Sequence, residues 1–142
     1  MKDPTLAIRT AYFSLITAAL PSVKIYDTIV ANDAPARRIM MGGQTYVEEG
    51  DKDNFGGLAT IDIEIISTYP IGSGGGKWSD ETATAVMQAV SNVKGTCNLS
   101  VTGWNIINAA VQIVPFSAAS QSTSGDYLHR KILRFSHLVY QL

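Results

Sequence analysis

The sequence predicts an α+β fold, with an antiparallel or mixed β-sheet of about five strands and two α-helices packed on one face of it. Two observations lead to this prediction. Apolar residues recur with helical and then with strand periodicity, in the order helix, several strands, helix, two strands. Strands that follow one another directly favour antiparallel pairing, and each helical stretch has an apolar face to bury against the sheet.

The first helix is predicted to begin at Asp3 and Pro4 and to end at Pro21. An aspartate can accept hydrogen bonds from the free N–H groups of a first turn, and proline suits the first helical position. The predicted buried face consists of residues spaced by seven, three and four positions, namely Leu6, Phe13, Ile16 and Leu20, with Ile8, Tyr12 and Leu15 widening the apolar stripe.

Four β segments are predicted between the helices, over residues 23–26, 38–41, 45–47 and 58–69. The last of them has the clearest pattern, because isoleucines alternate with polar residues. Such alternation predicts a half-buried strand in an antiparallel setting. We expect Ile61, Ile63 and Ile65 to face the core, and Thr60, Asp62 and Glu64 to face water or a neighbouring molecule.

The second helix is predicted to be capped by Ser79 and closed by Gly95. Its apolar face is predicted to comprise Ala83, Val86, Met87, Val90 and Val93. Two long strands then follow, over residues 106–116 and 127–142. The Ser- and Gly-rich linker between them, residues 117–126, is expected to be mobile.

Length and composition predict one domain over residues 1–142. Hydrophobic residues make up 46% of the chain and charged residues only 16%, so much of the surface is uncharged, which suggests that a partner covers part of it. The net charge of −1 provides no basic field for phosphates. A stable DNA or RNA binder is therefore not expected.

Cys97 is the only cysteine, so an internal disulfide and a zinc site built on two or four cysteines are excluded. The first residues lack the charged-then-apolar layout of a signal peptide, and no window is long and apolar enough to span a bilayer. We therefore expect a protein that is made and folded in a reducing cytoplasm and has no membrane partner.

A glycine-rich segment, residues 72–76, lies between a strand and a helix, where a phosphate-binding loop would occur. The P-loop pattern requires glycine where this chain has Ile71 and a hydroxyl residue where it has Trp78. The dinucleotide pattern fails as well, because its third glycine would fall on Lys77. We expect a flexible loop that binds no nucleotide, with Lys77 and Trp78 available to contact a neighbour.

Residues 51–56 resemble the opening of an EF-hand loop, with Asp51 and Asp53 at alternate positions. The fifth position is Phe55, which cannot ligate calcium, and the twelfth is Asp62, which lies inside the alternating strand. The segment is therefore interpreted as a solvated turn, with Gly56 and its neighbouring glycine supplying the reversal.

The two histidines, His129 and His137, lie eight positions apart on the last strand. Side chains at this spacing point to the same face but are separated by about 26 Å, so they cannot share a metal ion. No Gly-x-Ser-x-Gly motif presents a nucleophile. We interpret each histidine as a polar residue on a half-exposed strand, and we expect no enzyme activity, no metal and no cofactor.

The order and spacing of five segments resemble the tail-terminator (tail-completion) family of long-tailed bacteriophages, which includes related proteins of gene-transfer particles. These segments are 4–11 at the first helix, Ile25 to Asp27 after it, 57–66 in the central strand, 83–90 in the second helix and Lys131 to Phe135 in the last strand. Where the family often has Pro-Tyr at the start of the second strand, this chain has Arg37 and Arg38.

The resemblance implies a structural virion protein that forms a homohexameric ring, caps the finished tail tube and joins it to the head-completion (stopper) protein. DNA would pass through the ring, and assembly would take place in the cytoplasm of the host bacterium. The candidate assembly residues are Arg37, Arg38, Asp51, Asp53, Asp62, Glu64, Lys77 and Trp78. A small α+β module that binds a ligand or peptide is the alternative, and a hydrolase is a weaker one.

Overall fold

The computed structural model describes residues 1–27, 34–69, 76–121 and 127–142, of which 115–121 and 127 are described by their backbone alone. Within these ranges the elements are α1 Thr5–Ala19, β1 Lys24–Tyr26, β2 Arg37–Glu48, β3 Gly56–Tyr69, α2 Gly76–Val90, β4 Trp104–Ile106, β5 Ala110–Gln121 and β6 Tyr127–Gln141. The linker predicted over 117–126 is wrong up to residue 121, which belongs to β5, and its remainder lies outside the described residues.

The described strands form one mixed sheet in the order β1-β2-β3-β6-β4, and β5 also pairs with β6. β1 runs parallel to β2, and the other pairings between the described strands are antiparallel. Buried residues from both helices and from one face of the sheet form a single apolar cluster. The predicted α+β class, with both helices on one face of a mixed sheet, is confirmed.

The strands beside β6 differ from the prediction because β6 changes partner along its length. Ser136 is paired with Ala110 of β5, whereas Val139 is paired with Ile106 of β4. Asn108 lies at the change, where its side-chain oxygen accepts a hydrogen bond from the Leu138 N–H at 3.0 Å. The strand predicted over residues 106–116 is therefore two strands, and the described residues form a sheet of six strands, close to the predicted number of about five.

β2 is also longer than predicted. The segments 38–41 and 45–47 belong to one strand, whose register against β3 shifts between Met41 and Gln44. Two glycines occupy this irregularity, and such residues adapt easily to a bulge in a strand. The bulge keeps the pairing continuous, so the predicted break is wrong.

The register predicted for the central strand is confirmed. Ile61, Ile63 and Ile65 are fully buried on the face of the sheet that carries the helices. They lie in one cluster with residues of both helices and of the neighbouring strands β2 and β6. The core members from the helices and from β6 are Ile8, Tyr12, Ile16, Ala83, Val86, Val90, Leu133, Phe135 and Val139.

The predicted buried face of α1 is wrong for two of its four main residues. Leu6 is 74% exposed and Phe13 is 44% exposed, whereas Ile8, Tyr12 and Ile16 are buried. The helix is apolar over much of its circumference, so its sequence contains two stripes that could face the core. The stripe with spacing four packs on the sheet, and the other stripe lies on the surface.

The beginning of α2 also differs from the prediction. The helix begins at Gly76, so Ser79 lies inside its first turn and is fully buried rather than capping an end. The helix ends at Val90, and Val93 beyond it is 58% exposed. Gly95, with φ of +81°, belongs to the turn that follows and does not close the helix.

The chain reversal between β2 and β3 does not use the glycines that the sequence suggested. Asp51 and Asn54 face each other across the turn, and β3 already begins at Gly56. Gly56 and Gly57 are buried inside this strand. Their lack of a side chain serves close packing against the neighbouring strands, and the prediction that they form the turn is wrong.

Candidate functional site

The eight candidate assembly residues occupy three separate places. One group lies where β2 and α2 begin, a second lies on the turn between β2 and β3, and a third lies on the outer face of the sheet. Here the outer face means the face of the sheet away from the two helices. The structure therefore does not bring all eight together into one site.

The first group joins residues that are far apart in the sequence. The guanidinium carbon of Arg37 lies 5.6 Å from the centre of the Trp78 ring. Lys77 is exposed, and its Nζ lies 3.7 Å from Oε1 of Glu81, one helical turn further on. Trp78 is half-buried and packs against the apolar core, whereas Arg37 is exposed. The contact between them stabilises the fold by about 0.5–1 kcal/mol and holds an exposed cation over a ring that the core positions.

The second group consists of Asp51 and Asp53, which are both exposed on the turn. The N–H of Asn54 donates to the carbonyl oxygen of Asp51 at 3.3 Å. Among the described residues, no three His, Cys, Asp or Glu side chains are grouped so that they could hold a metal ion. The turn is a polar surface feature.

The third group is organised by two ion pairs on the outer face. Arg134 donates from Nε to Oδ1 of Asp62 at 2.9 Å and from Nη2 to Oδ2 at 3.2 Å, which is a two-pronged contact. The hydrogen bond to Asp62 and the charge of its carboxylate raise the pKa of Arg134. Arg130 donates to Oε1 of Glu64. Arg38 lies on the same face, and its Nη1 donates to the Pro35 carbonyl at 3.1 Å.

The sequence predicted that Glu64 faces water or a neighbouring molecule, and in the single chain it does not face water. Its side chain is only 7% exposed, and its Oε2 is buried without a hydrogen-bond partner. The strand register places Met40 of β2 and Ile132 of β6 on either side of it. The buried carboxylate depends on Arg130 for charge compensation, unlike the more exposed carboxylate of Asp62.

We expect Glu64→Gln to lower the free energy of unfolding by about 1–3 kcal/mol, because it replaces a buried, ion-paired carboxylate with a neutral amide. Asp62→Asn is the matched control, and its effect is expected to stay within about 1 kcal/mol because its partner is half exposed. Urea unfolding at neutral pH measures both. Equal, small effects would mean that water reaches Glu64.

A buried polar cluster around His137 was not anticipated from the sequence. His137 is fully buried, so its interpretation as a half-exposed residue is wrong. Its Nδ1 lies 2.7 Å from the Asn108 carbonyl oxygen and 3.9 Å from Sγ of Cys97, and its Nε2 is hydrogen-bonded to the Tyr12 hydroxyl. These partners fit a neutral ring in which Nδ1–H donates to the carbonyl and Nε2 accepts from tyrosine.

Burial governs the ionisation of this cluster. It lowers the pKa of His137, although the hydrogen bond to the Asn108 carbonyl opposes the change. Burial also raises the pKa of the Tyr12 hydroxyl and of the Cys97 thiol. All three shifts favour the neutral form of the side chain. The cluster therefore ties α1 to β6 and to the segment between β4 and β5 without a buried charge.

This arrangement predicts that acid destabilises the fold. Because the pKa of His137 is lower in the folded chain than its usual 6.5, the unfolded chain binds the proton first as the pH falls through that value. The free energy of unfolding should fall by at most about 1.4 kcal/mol from this residue between about pH 7.5 and 5.5. His137→Gln should remove this component, whereas Cys97→Ala should retain it. Equal pH dependence in the wild type and His137→Gln would contradict the assignment.

A serine–histidine contact also occurs, on the helix side of the sheet. Nδ1 of His129 lies 3.2 Å from the Ser79 hydroxyl, which lies 3.3 Å from that of Ser67. Both serines are buried. In the described part of the chain no carboxylate is hydrogen-bonded to the His129 ring. The contact links α2 to β3 and β6, and it does not present an accessible nucleophile.

Two surfaces with exposed apolar side chains complete the description. The first is the α1 groove, about 230 Å³ in volume, which is lined by Leu6, Arg9, Thr10, Phe13, Asp27 and Met41. The second is the β5 edge, where Val111 is 42% exposed and Ile113 is 44% exposed. Among the described residues, β5 pairs with β6 alone, and no described strand lies along its other edge.

Comparisons with known proteins found similarity among solved structures. No protein-family model matches the chain, and no curated protein matches it either. Among solved structures, a chain described as part of the virion of a native gene transfer agent particle has the same fold. The TM-score is 0.70, the sequence identity is 15%, and the match covers 99% of each chain. No helix within the described ranges is long and apolar enough to cross a membrane.

The sequence contains a signal for the β5 edge that hydrophobic periodicity does not reveal. No Asp, Glu, Lys or Arg occurs between Lys94 and Asp126. Open sheet edges are commonly protected by charged residues, above all lysine. An uncharged stretch of this length that contains an edge strand therefore indicates a strand that another surface covers.

Proposed function

We propose that this protein is a structural component of a phage-like virion and that it acts as a tail terminator. In this role, six copies of the chain form a ring that caps the finished tail tube. The ring joins the tube to the head-completion protein, and DNA passes through its opening. The observation behind this proposal is the fold shared over the full length of both chains with a component of a gene transfer agent virion.

Two features of the chain support a structural role. The serines of the serine–histidine contact are buried and therefore closed to a substrate. Within each ion pair on the outer face, the charge of the arginine is balanced in part by the charge of its carboxylate partner. A subunit of a ring also requires surfaces that neighbours can cover, and the β5 edge and the α1 groove are such surfaces. The net charge of −1 suits a passage that lets DNA through without gripping it.

The alternative, a ligand- or peptide-binding module, requires a groove whose polar groups can hold a ligand. A groove of about 700 Å³ lies between α1 and residues 98–102. Its one carboxylate, Asp3, already accepts hydrogen bonds from the N–H and hydroxyl of Thr5, at 2.9 and 2.7 Å. The other polar residues that line the groove are uncharged, namely Thr10, Ser14, Asn98, Ser100 and Thr102. The groove therefore offers a charged small molecule no unpaired charge to bind, and a ligand there would have to be held by hydroxyl and amide groups.

Tail tubes assembled without this protein provide the direct test. Added protein should bind one end of each tube, stop its growth and make it competent to join heads, while negative-stain images of the end show a ring. Light scattering on the free protein measures its own association. A monomer at high concentration that also fails to bind tubes would contradict the proposal, and a monomer with a tight small ligand would favour the alternative.

A further inference from the structure

We propose that the β5 edge of one copy docks against the β1–α1 edge of the next copy, with Val111 and Ile113 entering the α1 groove. This contact is heterologous, because two different surfaces of the same chain meet. It rests on the ring proposed above and assigns the residues that build it. The occupant of the α1 groove is therefore a second copy of this chain.

The first argument is the position of the two surfaces in the sheet. β1 lies at one end of the strand order, and β5 lies on the far side of β6. Among the described residues, each of these strands has a single pairing partner. Within the described ranges, one chain thus offers two unlike edges that have no second strand. Repeated contact between such edges produces a ring when the rotation between copies closes.

The second argument is that the apolar side chains lie on the matching side. Val111 is paired with Phe135 and Ile113 with Leu133, and both partners are buried on the helix side of the sheet. Side chains paired across two strands share a face, so Val111 and Ile113 also lie on the helix side. A β5 strand placed beside β1 of another copy would bring them alongside its α1.

The third argument is charge. The groove contains one cation and one anion, Arg9 and Asp27, and they form an ion pair with each other. Arg9 is further held by Gln44 and by the Gly42 carbonyl, each at 2.8 Å, so its donors are directed into its own chain. A groove whose charges are already matched accepts an uncharged partner at the lowest desolvation cost. Residues 110–114 of β5 are uncharged.

Two lysine variants test the contact. Phe13→Lys places a charge in the α1 groove, and Ile113→Lys places one on the β5 edge, so each should prevent its own surface from docking. Each position is nearly half exposed, so the melting temperature of the monomer should not change. Each variant alone should raise the concentration for half-association at least about ten-fold. Val93→Lys, at an exposed valine beyond α2, is the matched control and should assemble like the wild type.

The mixture of the two variants is the decisive measurement. The Phe13→Lys copy keeps an intact strand and the Ile113→Lys copy keeps an intact groove, so an equimolar mixture should form one-to-one dimers and stop there. A mixture that remains monomeric, or single variants that form normal rings, would overturn the proposal. If β5 binds a different virion protein instead, the variants would lose tail joining while self-association stays unchanged, which also overturns it.

Disulfide trapping detects the contact between copies even when their association is weak. In a Cys97→Ser chain, Phe13→Cys combined with Ile113→Cys should yield a ladder of linked copies under mild oxidation, and neither cysteine alone should do so. Absence of the ladder would overturn the contact. A chain that forms the ladder but never binds tail tubes would instead contradict the proposed function and leave the contact standing, so the two failures can be told apart.

Discussion

Ile63→Ala is expected to lower the free energy of unfolding by about 2–5 kcal/mol. Ile63 is fully buried at the centre of β3, between Met41 of β2 and Leu133 of β6. The substitution removes three carbon atoms, and the surrounding helices and strands can close only part of the resulting cavity. Domains of this size are stable by about 5–15 kcal/mol, so the loss is a large fraction of the total.

Val47→Ala is the control for this substitution. It also removes methyl groups from a strand, but Val47 is more than half exposed, so its effect should stay within about 1 kcal/mol. Urea unfolding of both variants gives the comparison. Similar losses in the two variants would mean that the buried face of β3 is assigned wrongly, and the assignment of the outer face would be wrong with it.

Gly57→Ala is expected to be at least as damaging, at about 3 kcal/mol or more, although it adds only one methyl group. A Cβ at this position would lie 2.1 Å from the Val47 carbonyl oxygen and 2.9 Å from the Glu48 Cα. Both are backbone atoms of β2, so a side-chain rotation cannot relieve the overlap. The strand itself has to move, and hydrogen bonds between β2 and β3 are lost.

Gly43→Ala is the matched control within the same pair of strands. A Cβ there meets no atom within 4 Å, and the φ angle is not in the left-handed region. We expect a change within about 1 kcal/mol, in either direction. Thermal unfolding, together with amide exchange of β2, distinguishes the two variants. A stable Gly57→Ala protein with protected β2 amides would show that the strands separate more easily than the structure indicates.

The candidate assembly residues show which structural properties can be predicted from sequence patterns. Alternation placed Asp62 and Glu64 on the face opposite the isoleucines, and the structure confirms this placement. Alternation could not show that Glu64 is buried, since burial depends on what the neighbouring strands β2 and β6 place beside it. Alternation also could not predict that Arg37 lies over the ring of Trp78, because this contact joins β2 to α2.

The sequence by itself determined the class of the fold, the register of β3 and the core residues of α2 between Ala83 and Val90. These features follow from local periodicity, which needs no knowledge of distant residues. α1 is the opposite case, because Leu6 and Phe13 repeat as regularly as the residues that are buried.

Tertiary structure alone decided which stripe of α1 faces the core, where β6 changes partner and how the neutral His137 is buried. In each case the deciding contact joins residues far apart along the chain, such as Tyr12 with His137 and Asn108 with Leu138. The energy of such a contact depends on what the fold places opposite a residue, and no local pattern contains that information. The open β5 edge and the α1 groove are likewise products of the assembled sheet.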